Sequence, residues 1–88
     1  MVEKQVVVRN RAGIHARPAA LIVQTAAKFS SQVEFCTEHE TINAKSIMGI
    51  ITLGAGYNTA IDIRVDGPDE ADALNALVHL FESRFEED

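Results

Sequence analysis

Hydrophobic and polar side chains alternate along two stretches of the chain, residues 33–38 (VEFCTE) and residues 60–66 (AIDIRVD). Because successive side chains of a β-strand point to opposite faces, both stretches are predicted to be strands with one buried and one exposed face. In the first stretch Val33 and Phe35 face inward, and Cys36 falls on the outward face with the glutamates. The alternation therefore predicts a sheet that is covered on one side only.

Two further strands are predicted from composition. The first is the valine-rich stretch 2–9, and the second is the short stretch Thr41–Ala44, which follows a tight turn at His39-Glu40. With these, the chain has four predicted strands.

Three other stretches are predicted to be helices. Residues 16–29 are rich in alanine, and Pro18 falls within the first turn, where a missing N–H costs no hydrogen bond. Residues 47–53 form a short helix that Ser46 caps and Gly54-Ala55-Gly56 ends. The last helix begins after Asp69, which can cap it, and acidic residues suit its first turn. The apolar positions recur at helical spacing: Ala19, Ile22, Val23, Ala26 and Ala27 in the first helix, and Leu74, Leu77, Val78, Phe81 and Phe85 in the last.

The resulting order is βαββαβα, which indicates a two-layer α+β fold with an antiparallel sheet. The two long helices cover the apolar face of the sheet, and the short helix can join them. A length of 88 residues is enough for one domain, so residues 1–88 are predicted to be a single domain. The acidic end of the chain, residues 86–88, is expected to be solvated.

Charge and composition narrow the class of function. The net charge of −5 argues against a nucleic-acid partner, which requires a basic face. The lone Cys36 cannot form an internal disulfide, and no cysteine–histidine spacing suits a metal, so neither metal nor cofactor is expected. The N-terminus is too short and too charged for a signal peptide, and no apolar run is long enough to cross a membrane. A cytoplasmic location fits best.

The candidate chemistry lies in residues 13–18, which read GIHARP. His15 is predicted at the start of a helix, where unpaired N–H groups and the helix dipole attract anions and disfavour a protonated imidazole. A neutral ring can act as a nucleophile, and the Arg17 guanidinium suits phosphate oxygens. Gly13 is expected to leave room for a partner beside the ring. His39 and His79 are expected to be exposed and without a role.

No catalytic apparatus accompanies His15. The sequence has no nucleotide-binding glycine loop, no carboxylate cluster for magnesium and no plausible triad. The chemistry of donor and acceptor must therefore come from other proteins, and the chain is not expected to be an enzyme by itself.

The short helix is unusually apolar. Ile50 and Leu53 are expected to be buried, which would leave Ile47, Met48 and Ile51 partly exposed as a docking surface. The alternative is that all five belong to the core. Ser46 is an ordinary N-cap by type, but a phosphate on it would sit at a helix N-terminus and bring negative charge beside the apolar surface.

These motifs make the chain similar to the HPr family of bacterial phosphoenolpyruvate-dependent sugar phosphotransferase systems. GIHARPAA resembles the active-site motif of that family, AKSIMGI with TLGAG resembles its serine-site region, and DEADALNAL resembles its last helix. The resemblance implies an open-faced β-sandwich, in which four antiparallel strands carry three helices on one side.

The resemblance also implies roles for particular residues. His15 would accept a phosphoryl group on its δ1 nitrogen from phospho-Enzyme I and pass it to Enzyme IIA domains, and Arg17 would contact the phosphate. Ser46 would be the site of an HPr kinase/phosphorylase, and its phosphorylated form would bind a catabolite-control transcription factor. The docking residues would be Ala16, Ala20, Ile47, Met48 and Ile51.

Other hypotheses are a regulatory module that acts through Ser46 without sugar transport, and a small ligand-binding or acylphosphatase-like domain. Family members that lack the active histidine are excluded, since His15 is present. The chain departs from many members at Asn58, where glycine is common, but asparagine tolerates a left-handed backbone. The family gives no role for Cys36, and the protein is expected to be a monomer without membrane insertion.

Overall fold

The computed structural model describes residues 1–86, which form a four-stranded sheet, three α-helices and a terminal 3₁₀ turn. In chain order the elements are β1 (Val2–Val7), α1 (Ala16–Ala27), β2 (Gln32–Cys36), β3 (Thr41–Asn43), α2 (Ile47–Leu53), β4 (Ala60–Asp66), α3 (Glu70–Glu82) and the 3₁₀ turn Arg84–Glu86. The predicted order and the α+β class are confirmed. The first strand and the first helix each end two residues before their predicted limits.

The sheet is antiparallel throughout, with the strand order β1-β4-β2-β3. The alternation in β4 holds as predicted, because Ile61, Ile63 and Val65 are fully buried. On the opposite face Arg64 lies across from Glu3, and its Nε approaches the Glu3 carboxylate to 3.2 Å. One face of the sheet thus contributes to the core, and the other carries charged side chains.

The helices cover the apolar face of the sheet. α3 packs against β1, β4 and α1, while α2 packs against α1 and β3. Three aromatic rings link the layers: Phe81 on α3 meets Phe35 on β2 and Phe85 at centroid distances of 5.7 and 4.9 Å, both edge to face. Edge-to-face packing adds favourable quadrupole contact to the burial of these rings.

Several sequence-based assignments differ in the structure. Ala27 is exposed at the end of α1, and Ala73, which the sequence pattern did not single out, is fully buried on α3. Phe85 lies beyond α3, in the 3₁₀ turn. Cys36 is only 5% exposed although alternation places it opposite to Phe35, because its small side chain lies on an inner strand, between Asp62 of β4 and Thr41 of β3.

Asp69 occupies the N-cap position of α3, but its carboxylate does not cap that helix. It accepts hydrogen bonds from the N–H groups of Ser30 and Ser31 at 2.9 and 3.0 Å, and from the Ser31 hydroxyl. These bonds, first of all that from the Ser31 hydroxyl, lower the pKa of Asp69 to about 2. The Asp69 carboxylate therefore joins the α1–β2 connection to the start of α3. The neighbouring Glu70 carboxylate accepts a hydrogen bond from the Gly67 N–H.

Among residues 1–86, none of the helices has both the length and the apolar character needed to cross a membrane. The same residues contain no group of three or more acidic, histidine or cysteine side chains arranged to hold a metal ion.

Candidate functional site

The N-terminus of α1 presents His15. The residue is the N-cap of a 12-residue helix, its backbone is extended (φ −90°, ψ −162°) and it is exposed to solvent. Its carbonyl accepts the Ala19 N–H at 3.0 Å, which begins the hydrogen bonding of the helix. Pro18, the third helical residue, has no N–H to leave unpaired, so it fits the first turn as predicted. The predicted position of His15 at a helix start is confirmed.

The loop before His15 is fixed by its own hydrogen bonds. The buried Asn10 side chain donates to the Gly13 carbonyl at 2.6 Å, and the Gly13 N–H donates back to the Asn10 carbonyl at 3.0 Å. Ile14 is buried, and its N–H donates to the Ala55 carbonyl at 2.9 Å. His15 is therefore carried on a loop that is attached to the chain just after α2.

Gly13 is required by this attachment. Its backbone is left-handed (φ +74°), and a Cβ at this position would lie 2.8 Å from the Ala55 carbonyl oxygen and 3.0 Å from the Gly56 Cα. The expectation that Gly13 leaves room for a partner is wrong, since the residue is buried and segment 55–56 fills that space. The glycine permits the close approach of two loops.

Arg17 is exposed on the first turn of α1, two residues after His15. Its Nη1 donates a hydrogen bond of 2.7 Å to the main-chain carbonyl of Phe85. No local pattern in the sequence predicts this contact, because the two residues are 68 positions apart. It places the positively charged side chain between the start of α1 and the turn that follows α3.

Ser46 caps α2 as predicted. Its backbone is extended, its side-chain oxygen accepts the Gly49 N–H at 3.1 Å, and the residue is half-buried. At the other end of the helix Gly54 adopts the left-handed conformation (φ +59°) that commonly ends helices. Both ends of α2 are therefore set by local sequence.

The exposed side of α2 is apolar. Ile47, Met48 and Ile51 are 41%, 64% and 51% exposed, and we refer to these three residues as the α2 patch. Ile50 is fully buried and Leu53 partly buried, so the alternative in which all five residues belong to the core is wrong. On α1, which packs against α2, Ala16 is exposed and Ala20 is half-buried, one helical turn apart.

The α2 helix connects Ser46 to the segment that packs beside the His15 loop. Ser46 is at its N-terminus, and segment 55–56 after its C-terminus packs on Gly13 beside His15. A seven-residue helix is about 10 Å long, so one short apolar surface extends from Ser46 toward His15. Asn58 follows in a left-handed conformation (φ +69°), as expected for asparagine at this position.

Comparison with known proteins agrees with this geometry. A family model described as the PTS HPr component phosphorylation site matches residues 2–83. The phosphocarrier protein HPr of Treponema pallidum is 50% identical over 88 residues, which cover 100% of both chains. A crystal structure of HPr from Thermoanaerobacter tengcongensis superposes with a TM-score of 0.96 at 48% identity, covering 100% of this chain and 99% of that one.

A crystal structure of Crh, described as a catabolite repression protein of Bacillus subtilis that forms a swapped dimer, is also similar. Its TM-score is 0.76 at 39% identity, over 96% of this chain and 97% of that one. The match of the family model over nearly the whole described chain, together with 50% identity to a curated relative, shows the family. The chain belongs to the HPr family, the phosphocarrier proteins of the phosphotransferase system.

Proposed function

We propose that the protein accepts a phosphoryl group on His15 from phospho-Enzyme I and passes it to sugar-specific Enzyme IIA domains. The observation that carries this proposal is the exposed imidazole of His15 at the N-cap of a 12-residue helix, with Arg17 on the same turn. Membership of the HPr family supports it further.

The chemistry needs a nucleophilic ring and a site that tolerates the negative charge it gains. A neutral ring nitrogen of His15, by family resemblance the δ1 nitrogen, attacks phosphorus. The bond from phosphorus to the donor breaks as the new nitrogen–phosphorus bond forms. The positive end of α1 and the Arg17 guanidinium favour the phosphoryl oxygens. In the onward transfer a nucleophile of the Enzyme IIA domain attacks phosphorus, and the nitrogen–phosphorus bond to His15 breaks as the new bond forms.

The protein is proposed to be a substrate of its partner enzymes rather than an enzyme. His15 and Arg17 can hold a phosphoryl group, while the phosphoryl donors and acceptors are other proteins. The α2 patch, together with Ala16 and Ala20, is the proposed docking surface for Enzyme I and Enzyme IIA domains. Exposed apolar side chains beside the reactive ring would exclude water when a partner docks.

The test of the carrier function uses the other two histidines as controls. Purified protein is incubated with phosphoenolpyruvate and Enzyme I, and the bound phosphate is measured by intact mass and by its stability to acid and base. An acid-labile, base-stable phosphate is expected, absent in His15→Ala and retained in His39→Ala and His79→Ala, both of which alter exposed residues. Retention of the label in His15→Ala would refute the assignment.

We also propose that Ser46 is a regulatory site for an HPr kinase/phosphorylase. Its oxygen lies at the N-terminus of α2 and accepts the Gly49 N–H, so a phosphate there would be tolerated by the fold. The same phosphate would bring a charge of about −1.5 to −2 next to Ile47 and Met48. Docking of Enzyme I on the apolar α2 patch would weaken, and a catabolite-control transcription factor could bind instead.

The regulatory proposal is tested by phosphate from ATP and the kinase, which should be acid-stable and absent in Ser46→Ala. Ser46→Asp imitates the added charge, and titration calorimetry should show weaker binding of Enzyme I. Unchanged binding would mean that charge at Ser46 does not control docking. Active Ser46 phosphorylation without any label on His15 would favour the purely regulatory alternative.

We further propose that residues 1–88 form a single HPr-like domain, and that the protein is monomeric and cytoplasmic. Light scattering after size exclusion checks the oligomeric state, for which the swapped dimer described for the similar Crh is the relevant contrast. The order of strands and helices that suggested an acylphosphatase-like domain is explained by membership of the HPr family.

A further inference from the structure

Tyr57 is a large exposed side chain that lies outside the α2 patch. It is 53% exposed, a fraction between those of Ile51 and Met48 in the patch. Among residues 1–86, the exposed large apolar or aromatic side chains are those of the α2 patch, Met1 and Tyr57. One exposed ring is ordinary on a protein surface, so its significance depends on where it lies and how firmly it is held.

The turn that carries Tyr57 is firmly held. The Thr59 N–H donates to the Gly56 carbonyl at 3.1 Å across the turn. The Asn58 N–H donates to the Val8 carbonyl at 2.8 Å, and the Val8 N–H donates to the Thr59 carbonyl at 2.9 Å, so the turn is fixed to the end of β1. A tyrosine has only two side-chain torsions to order, so on a fixed turn it offers a large contact area at a small entropic cost.

The same turn adjoins the loop that presents His15. The residue before Tyr57 packs on Gly13, where a Cβ would lie 3.0 Å from the Gly56 Cα. Consecutive Cα atoms are about 3.8 Å apart, and from this contact Tyr57 is one such step away and His15 two. A standard interface covers about 800 Å² on each partner, which is wide enough to include both residues. A protein that reaches the His15 ring therefore also meets Tyr57.

The chain around His15 is positively charged although the protein is acidic. The net charge is −5, yet residues 4–33 hold five lysines and arginines and no aspartate or glutamate. Three of these five, Arg9, Arg11 and Arg17, are exposed within nine residues that include His15. The α2 helix carries no charged residue. The positive charge near the reactive ring therefore comes mainly from the loop before α1 and its first turn.

Arg9 and Arg11 lie next to the turn that carries Tyr57. Arg9 follows Val8, whose N–H and carbonyl are both bonded to that turn. Arg11 lies in the loop between Val8 and Gly13, and both of these residues contact the segment that carries Tyr57. Tyrosine and arginine are enriched among the side chains that dominate the binding energy of interfaces. We refer to Arg9, Arg11 and Tyr57 as the arginine–tyrosine surface.

We propose that the arginine–tyrosine surface is a second docking surface, which binds an acidic surface of Enzyme I, and this inference rests on the proposed role of Enzyme I as donor to His15. Guanidinium groups pair with carboxylates, and local arginines orient an acidic partner that the net charge of −5 would otherwise repel. A flexible, methionine-containing surface such as the α2 patch suits several partners. A rigidly held ring suits one partner of constant shape, which favours Enzyme I over the several Enzyme IIA domains.

The contribution of Tyr57 is tested by removing its ring. Tyr57→Ser should raise the protein concentration for half-maximal phosphorylation by Enzyme I about tenfold, with the maximal rate unchanged, because the ring contacts the partner and not the phosphate. Tyr57→Phe keeps the ring and should stay within about twofold of the parent protein. Circular dichroism and urea unfolding check that both variants are folded. An unchanged half-saturation concentration in Tyr57→Ser, or a loss confined to the maximal rate, would overturn the inference.

Transfer in the other direction tests the choice of partner. The phosphorylated Tyr57→Ser protein should donate to an Enzyme IIA domain with a half-saturation concentration within about twofold of that of the phosphorylated parent. An equal loss toward Enzyme I and the Enzyme IIA domain would overturn the assignment of this surface to Enzyme I.

The arginines are tested against two lysines elsewhere on the chain. The double variants Arg9→Gln, Arg11→Gln and Lys4→Gln, Lys28→Gln each remove two positive charges at exposed positions, so their net charges are equal. Lys28 follows the far end of the 12-residue helix α1, which is about 18 Å long. Stopped-flow association with Enzyme I at about 10 mM salt should be about tenfold slower for the arginine pair, with the lysine pair within about twofold of the parent. The difference should disappear toward about 1 M salt, and equal effects of the two pairs would overturn the inference.

Intact mass at saturating protein concentration separates this inference from the carrier function. Each variant retains His15 and should still reach the phosphate label of the parent protein. Absence of the label in the parent would refute the carrier function itself. A labelled parent together with a Tyr57→Ser protein of equal half-saturation concentration would refute the arginine–tyrosine surface alone.

Discussion

Replacing Gly13 with alanine should destabilise the protein by about 0.5–3 kcal/mol, a change that follows from backbone geometry in the loop before His15. Gly13 has a φ of +74°, which lies in the left-handed region. The added Cβ would lie 2.8 Å from the Ala55 carbonyl oxygen, closer than real Cβ atoms approach oxygen. That oxygen is also the acceptor for the Ile14 N–H, so any shift that relieves the clash weakens this bond.

The magnitude combines three contributions. A left-handed backbone costs an L-residue about 1–2 kcal/mol. Weakening the hydrogen bond from the Ile14 N–H to the Ala55 carbonyl costs about 0.5–1.5 kcal/mol. Alanine also restricts the unfolded chain, which returns about 0.4–1 kcal/mol. The balance is a net loss of about 0.5–3 kcal/mol, because the two costs together exceed the unfolded-state gain.

Urea unfolding followed by circular dichroism measures this loss, and Gly56→Ala is the control. A Cβ on Gly56 would meet nothing within 4 Å, and the φ of Gly56 is outside the left-handed region, although the residue lies in the same pair of loops. Gly56→Ala should therefore be neutral or stabilising by up to about 1 kcal/mol. Each kcal/mol lost by Gly13→Ala should appear as a decrease of about 4–8 °C in Tm for a chain of this size.

A Gly13→Ala protein as stable as the Gly56→Ala protein would contradict the reasoning. It would mean that the two loops separate without cost, and that the attachment of the His15 loop to segment 55–56 contributes nothing to stability. If the loss occurs as expected, transfer to His15 should slow as well, since this loop determines the position of the ring.

Three further predictions concern other parts of the fold. Ser46→Ala should lose about 1 kcal/mol of unfolding free energy because the Gly49 N–H loses its cap, whereas Ser46→Asp should keep most of it; urea unfolding distinguishes them. Hydrogen bonds lower the pKa of Asp69 from 3.8 to about 2, so its stabilising effect is complete above about pH 4 and disappears as the pH falls toward 2. The Tm difference between the parent protein and Asp69→Asn should therefore shrink over that pH range. A Tm difference that does not change with pH would refute this prediction. Met48→Lys should weaken Enzyme I binding at least tenfold with stability changed by less than about 0.5 kcal/mol, while Thr41→Lys, at an exposed position of β3, should leave binding unchanged in the same calorimetric assay.

Local pattern was sufficient for the secondary structure and for the candidate residues. The strict alternation of β4 predicted which side chains are buried, because the period of two is a property of any strand. Ser46 and Gly54 predicted both ends of α2, since capping depends on residues within one turn. The alanine-rich segment after His15 likewise predicted that this residue lies at a helix start.

Contacts between segments that are distant in sequence could not be predicted from local pattern. The sequence pattern put Phe85 on the α3 stripe and Asp69 in the role of a helix cap. In the structure Phe85 turns its carbonyl to Arg17, and Asp69 binds the serines before β2. Periodicity shows which face of a helix or strand is apolar, but not which other element covers that face. Polar groups from distant parts of the chain form hydrogen bonds only after packing has brought them together. The sequence by itself therefore determined the elements, the α+β class and the position of His15 at a helix start. Only the tertiary structure decided the strand order, the close approach at Gly13 and the position of Arg17, because each depends on atoms that meet through packing rather than along the chain.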